Sequence, residues 1–159
     1  MNELLNLLKQ NALESPENMA KMLGISTEEV RKKITEYEKD GIIRAYQAVV
    51  NEERLDASLV TTVIEVKVTP ESEGGFDRIA ARISRFPEVE SVYLMSGGFD
   101  LLLFIKGRTM HEAAGFVSEK LATMPGVTST STHFMMKTYK QNGIVMQMGE
   151  DNERLKVSP

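Results

Sequence analysis

The hydrophobic period of this chain changes once, close to residue 56, and that switch decides most of what the chain can become. Before it, apolar residues recur at the three- and four-residue spacing of helices; after it, β-branched runs alternate with helical stripes. Such a chain predicts an α+β protein in two parts. In the first part Leu4, Leu5 and Leu8 with Ala12 predict a helix over residues 3–12. Ser15-Pro16 opens a second, with serine as N-cap and proline at the first helical position, where its missing N–H costs nothing. Met19, Ala20 and Leu23 face inward and Gly24 ends it. Ser26 followed by Glu29 reads as a capping box that starts a third helix. There Val30, Ile34 and Tyr37 form the inner face, Thr27, Glu28, Arg31, Lys32 and Lys33 lie outside, and Gly41 supplies a left-handed cap. Two short helices joined by a glycine turn, with a third before them, make a helix-turn-helix candidate. Residues 42–50 are rich in β-formers and predict a strand or small wing.

Residues 51–58 are polar and read as a linker, with the boundary near Asp56. Val60, Thr61, Thr62, Val63, Ile64, Val66 and Val68 predict a strand over 59–68. Phe76, Ile79, Ala80, Ile83 and Phe86 carry helical spacing. Residues 89–96 and 100–106 read as strands joined at Gly97-Gly98. Met110, Ala113, Ala114, Val117 and Leu121 form another helical stripe, stopped by Met124-Pro125-Gly126, and 127–139 is a last extended segment. The order β-α-β-β-α-β predicts a ferredoxin-like layer, two helices on one face of a four-stranded antiparallel sheet, whose other face needs a cover. A partner subunit is the economical one. The expected organisation is a winged-type helix-turn-helix over 1–50, a linker over 51–58, a ferredoxin-like domain over 59–140 and a partly packed tail over 141–159.

Composition narrows the function classes. Hydrophobic content of 42% with 26% charge in 159 residues suits a folded domain or two small ones. No apolar run approaches the ~18 residues of a membrane span, and no export signal is expected at the N-terminus. The absence of cysteine excludes disulfides, thiolate catalysis and Cys-based metal sites. His111 and His133 share no short spacing and read as a helix-start and a strand residue; Met135 and Met136 beside Phe134 read as core or interface packing. No nucleophile elbow or phosphate loop occurs, so neither an enzyme nor a metal or cofactor site is expected. A net charge of −4 opposes nucleic-acid binding, and the first part alone holds eight basic against eleven acidic residues up to Asp56. Binding by such a head depends on two copies placed on successive major-groove half-sites.

Several stretches together make this chain resemble the Lrp/AsnC, or feast/famine, transcriptional regulators. They are Met19-Ala20-Lys21-Met22-Leu23-Gly24-Ile25-Ser26, Val30-Arg31-Lys32-Lys33-Ile34, Gly41-Ile42-Ile43, Ser96-Gly97-Gly98-Phe99-Asp100, Met124-Pro125-Gly126-Val127 and Thr132. The resemblance implies a cytoplasmic regulator that binds double-stranded DNA and dimerises through its sheets, commonly assembling further to octamers. It also implies a small effector, often an amino acid, held between dimers near the hairpin loop. The expected DNA-facing residues are Ser26, Thr27, Glu28, Arg31, Lys32, Lys33 and Arg44, with Arg31 on a base edge or phosphate, Lys32 on a phosphate and Arg44 anchoring the wing region. The effector set implied by the family is Ser96, Gly97, Gly98, Phe99, Asp100 and Thr132. Gly98 departs from the larger, often acidic residue that many members carry. The rival reading is a small-molecule-binding ferredoxin-like module of metabolism whose N-terminal helices only dock; the Arg31-Lys32-Lys33 face is what separates the two.

Overall fold

The computed structural model describes residues 2–55, 59–70 and 74–146, and the chain divides into two compact units, Met1–Ala48 and Val49–Pro159. The linker boundary expected near Asp56 lies outside the described residues, as does the tail beyond Met146. The first unit holds α1 (Glu3–Gln10), α2 (Pro16–Leu23) and α3 (Thr27–Lys39). Each opens on a side-chain cap: the Asn2, Ser15 and Ser26 side chains accept from the backbone N–H of Leu4, Asn18 and Glu29, each at 3.1 Å. Caps of this kind stabilise a helix by about 1 kcal/mol apiece. Leu4, Leu8, Met19, Ala20 and Val30 form the buried centre, with Leu23, Ile25, Ile34 and Tyr37 packed around it. Gly24 and Gly41, at φ 66° and 70°, turn the chain out of α2 and α3 in the left-handed region.

Three expectations for this unit change. α1 stops at Gln10, so Ala12 is exposed rather than inward; the Asn11 side chain accepts from Leu13 N–H at 3.1 Å and ends the helix with a local turn. Only half of the capping box forms, because the Glu29 carboxylate meets Lys33 at 2.8 Å. Residues 42–50 form no strand: they hold no regular secondary structure and no ladder partner among the described residues, and β-propensity alone does not make a strand.

In the second unit a 3-10 turn (Glu52–Arg54) leads to β1 (Val60–Val68), α4 (Asp77–Ile83), β2 (Val89–Leu94), β3 (Leu101–Gly107), α5 (Met110–Gly115) and β4 (Val127–Phe134). The sheet order is β2-β3-β1-β4 with every neighbour antiparallel, the expected β-α-β-β-α-β topology. Val66 pairs with Leu101 on one side and Thr130 on the other, which sets the register of β3, β1 and β4. Alternation along the strands does the rest. Ile64, Val66, Val68, Leu101, Leu103 and Ile105 are buried against Ile79 and Ile83 of α4 and against Ala113, Phe116 and Leu121. The opposite face carries Val63, Leu102 and Phe104, all half-buried, and Tyr93, which is 51% exposed and stands edge-on to Phe104 at 6.1 Å between ring centres. Glu65 and His133 meet on that face at 3.4 Å.

The last helix departs from the stripe expected of it. After Gly115 the chain widens into π geometry over Phe116–Leu121, with Ala122 N–H reaching back five residues to the Val117 carbonyl at 2.8 Å. Phe116, three residues on from the buried Ala113, packs inward and meets Phe86 edge-on at 5.5 Å; the wider turn then brings Leu121, five residues later, to the same core, while Met110 is 54% exposed. Met135 and Met136 are also not core: they are 38% and 89% exposed in the single chain. A small hairpin, β5 (Lys140–Gln141) with β6 (Ile144–Val145), follows, and Met146 behind it is buried.

The start of the expected linker is fastened to the second unit. Asn51 donates to the Met146 carbonyl at 2.7 Å, Glu53 accepts from Thr138 N–H at 3.1 Å, and Glu52 pairs with Lys106 at 2.5 Å. Lys106 also pairs with Glu90 at 2.7 Å; burial works to lower its pKa, but the two carboxylates outweigh it and the net shift is upward.

Candidate functional site

Two places carry the chemistry. The first is the outer face of α3, which follows α2 after a turn of three residues. That spacing and the Ser26 cap force the two helices to pack steeply and present α3 outward. Ser26 is occupied by its capping bond, Thr27 is half-buried at the first turn, and Glu28 and Arg31 are exposed. Of the three consecutive cations, two are held by carboxylates. Arg31 Nη2 meets Glu17 Oε1 of α2 at 2.7 Å, and Lys33 meets Glu29 one helical turn away. Hydrogen bonding from its own backbone N–H, and next from Arg31, holds the Glu17 carboxyl below the usual glutamate range; the bond from Glu29 raises the Lys33 pKa. Lys32 is exposed and has no ion pair among the described residues. Arg44 lies exposed on the irregular segment after α3, where Tyr46 donates to Glu38 at 2.9 Å. Sequence reading found the cations of α3 but not Glu17, whose link to Arg31 joins residues fourteen apart on two helices.

The second place is the β2–β3 hairpin. Met95 N–H donates to the Asp100 carbonyl at 2.8 Å and closes the loop around Ser96, Gly97, Gly98 and Phe99. Ser96, Gly97 and Gly98 are exposed, and Phe99 and Asp100 are half-buried. Asp100 is engaged within the fold: its N–H donates to the Val66 carbonyl at 3.0 Å, and its Oδ2 accepts from Val68 N–H at 2.9 Å. It thereby closes the end of β1 where the register with β4 shifts between Lys67 and Val68. Thr132 is half-buried on β4 opposite Ile64, and β1 lies between it and β3. Two strand spacings put it about 10 Å across the sheet from β3, and two positions further along than the hairpin end. Within one chain the loop and Thr132 are therefore not brought together.

A concavity of about 360 Å³ opens elsewhere, at the other end of β3, among Glu88, Lys106, His111, Glu112, Phe116 and Lys120. None of the residues expected to meet an effector lines it. Lys120 pairs with Glu88 there and lies 5.7 and 5.9 Å from the ring centres of Phe86 and Phe116, so the rim is closed by its own charges. Among the described residues no helix is long and apolar enough to cross a membrane.

Comparison with known proteins agrees with this architecture. The chain is 47% identical over 158 residues to the uncharacterized HTH-type transcriptional regulator YugG of Bacillus subtilis, covering 99% of this chain and 95% of that protein. It is 30% identical to the leucine-responsive regulatory protein of Haemophilus influenzae, covering 91% and 86%. Two solved structures share the fold. AsnC of E. coli superposes with a TM-score of 0.66 at 19% identity, over 89% of this chain and 95% of that one. A transcriptional regulator from Neisseria meningitidis, in a complex with L-methionine, does so with a TM-score of 0.69 at 23% identity, over 87% and 88%. A family model, the Lrp/AsnC ligand binding domain, matches residues 61–145, which span the sheet, its two helices and the hairpin. By sequence and by fold, then, this chain belongs to the Lrp/AsnC family of transcriptional regulators.

Proposed function

We propose that this protein is a cytoplasmic, DNA-binding transcriptional regulator that works as a homodimer or a larger even assembly and answers to a small amino-acid effector. The observation that carries the reading is the outer face of α3: Arg31 and Lys32 exposed on a capped helix that leaves a glycine turn. Residues 1–50 form the DNA-binding head and residues 59–140 the domain for assembly and effector, joined through 51–58. In the head, α3 enters the major groove, Arg31 reaches a base edge, and Lys32, Lys33 and Arg44 meet phosphates. Ser26, Thr27 and Glu28 stand at the end of α3 nearest the bases, where an acid also suits the helix dipole.

The assembly reading rests on the sheet face that Tyr93, Phe104, Leu102 and Val63 leave open in the single chain. A second copy laid on that face buries apolar surface on both sides and supplies the second head that an acidic, weakly binding head needs. The effector reading rests on the exposed loop 96–98 and on the name of one structural relative, which holds L-methionine. Because Thr132 stands about 10 Å from β3 within one chain, a ligand touching both sets takes them from different chains. An effector placed between subunits changes head spacing only if it binds one assembly better than another.

The test is a gel shift of the full chain on a duplex selected from a random pool by the wild-type protein, run at two salt concentrations. Arg31→Ala and Lys32→Ala are each expected to weaken binding, and loss of a phosphate contact lowers the salt slope by about 0.9. Unchanged affinity and slope in both variants refute the assignment of α3.

A further inference from the structure

Arg31 is the one cation of α3 that is fastened to another helix. Its Nη2 contacts Glu17 Oε1 at 2.7 Å, whereas Lys33 is paired inside α3. Stability does not account for the link. The two side chains are 63% and 53% exposed, where solvent screens an ion pair and little of its attraction reaches the fold. Nor does general affinity for DNA, because a carboxylate beside the binding face repels phosphates and lowers non-specific binding. What the contact does provide is geometry. Glu17 stands in the first turn of α2, one residue after the proline and two after the Ser15 cap, so its backbone is among the better-fixed positions of the head. A guanidinium gripped through one nitrogen keeps Nη1 and Nε as donors and loses much of its rotational freedom before any ligand arrives.

We propose that Glu17 is a positioning residue for sequence readout: it orients the Arg31 guanidinium toward a base edge, exchanging some general affinity for discrimination. The inference rests on the reading that α3 binds DNA and adds a residue outside α3 to it. Lys32, with no ion pair among the described residues, provides the contrast as a cation available to any phosphate.

The experiment measures the ratio of affinities for the selected duplex and a scrambled duplex of equal length, with the full-length wild type, Glu17→Gln, Arg31→Ala and the double variant. A well-made bidentate base contact discriminates by about 1–3 kcal/mol, so loss of its orientation is expected to lower the ratio by roughly 10-fold in Glu17→Gln. Affinity for the scrambled duplex stays level or rises. In the Arg31→Ala background the same substitution is expected to change the ratio by less than about 2-fold, since there is nothing left to orient. Glu17→Asp, which keeps the charge, recovers part of the ratio. Thermal unfolding of all variants, expected to be unaltered, separates this from a structural effect. Equal gains on both duplexes in Glu17→Gln overturn the proposal and make Glu17 a repelling charge only. A ratio that Arg31→Ala leaves at the wild-type value overturns the base-reading role of Arg31 itself, a failure distinct from that of Glu17.

Discussion

Replacing Asp100 with alanine removes the acceptor that holds the end of β1. Oδ2 takes the Val68 N–H at 2.9 Å, next to the point where β1 and β4 lose register, so without it that N–H faces a methyl group. A hydrogen bond to a charged group contributes about 1.5–3 kcal/mol net. Asp100 is half-buried and water can reach part of the site, which places the loss in the lower half of that range, about 1.5–2 kcal/mol. For a unit of this size each kcal/mol moves the midpoint by about 4 °C, so Asp100→Ala is expected to melt roughly 6–8 °C lower. Asparagine keeps an oxygen in place and is expected to lose less than about 1 kcal/mol. The assay is thermal unfolding followed by circular dichroism at one fixed protein concentration, because assembly shifts the midpoint. Amide exchange at Val68 is read alongside it, with protection lost in the alanine variant and kept in the asparagine one. The same pair resolves what Asp100 does for a ligand: titrated calorimetrically with the common amino acids, Asp100→Asn loses binding if the carboxylate meets an ammonium and retains it if the residue only holds the loop. Alanine melting within about 1 °C of wild type, with Val68 still protected, refutes the reasoning.

Two other predictions concern the second unit. The Thr62 side chain is fully buried and its Oγ1 has no hydrogen-bond partner among the described residues, so Thr62→Val is expected to raise the denaturant midpoint by the equivalent of about 1 kcal/mol; a loss of that size refutes it. The Lys120 hydrogen bond lowers the Glu88 pKa from 4.5, so the pair stabilises the fold above that value, and the contribution fades as pH falls through the lower folded-state value. Lys120→Met is therefore expected to sit below wild type in denaturant midpoint near neutrality and to converge on it under acid; a gap that stays constant with pH counts against the pair.

Local signals made the head readable. Ser15-Pro16, Gly24, Ser26 and Gly41 act within a few residues of themselves, and each does in the structure what its chemistry predicts. The sheet was readable for a related reason, since β-branched alternation and the Gly97-Gly98 turn fix faces and hairpin without reference to anything distant. What sequence reading missed depends on contacts made after folding. The stripe through Met110 and Ala114 assumed 3.6 residues per turn throughout, whereas the buried positions run Ala113, Phe116 and Leu121, the last two a π turn apart. Residues 42–50 have strand composition but no ladder partner among the described residues. Asp100 looked like a ligand group because its partner, the Val68 N–H, is thirty-two residues away. Glu17 carries no signal of its own in the sequence, because its tie to Arg31 joins two different helices.

The glycines of the second unit differ in how much freedom they leave to mutation. At Gly126 the chain has φ 93°, its carbonyl accepts from Thr69 N–H at 2.8 Å, and a β-carbon there would stand 2.7 Å from Ile79 Cδ1. Any side chain at 126 strains the backbone and displaces the end of the Ile79 side chain; a smaller residue at 79 would relieve the contact but not the strain. Gly98 meets nothing within 4 Å of a would-be β-carbon and lies outside the left-handed range. The fold is thus indifferent to which residue occupies 98, and selection at the tip of the hairpin can follow whatever the tip touches. Between these two glycines the fold thus permits variation at position 98 and resists it at position 126.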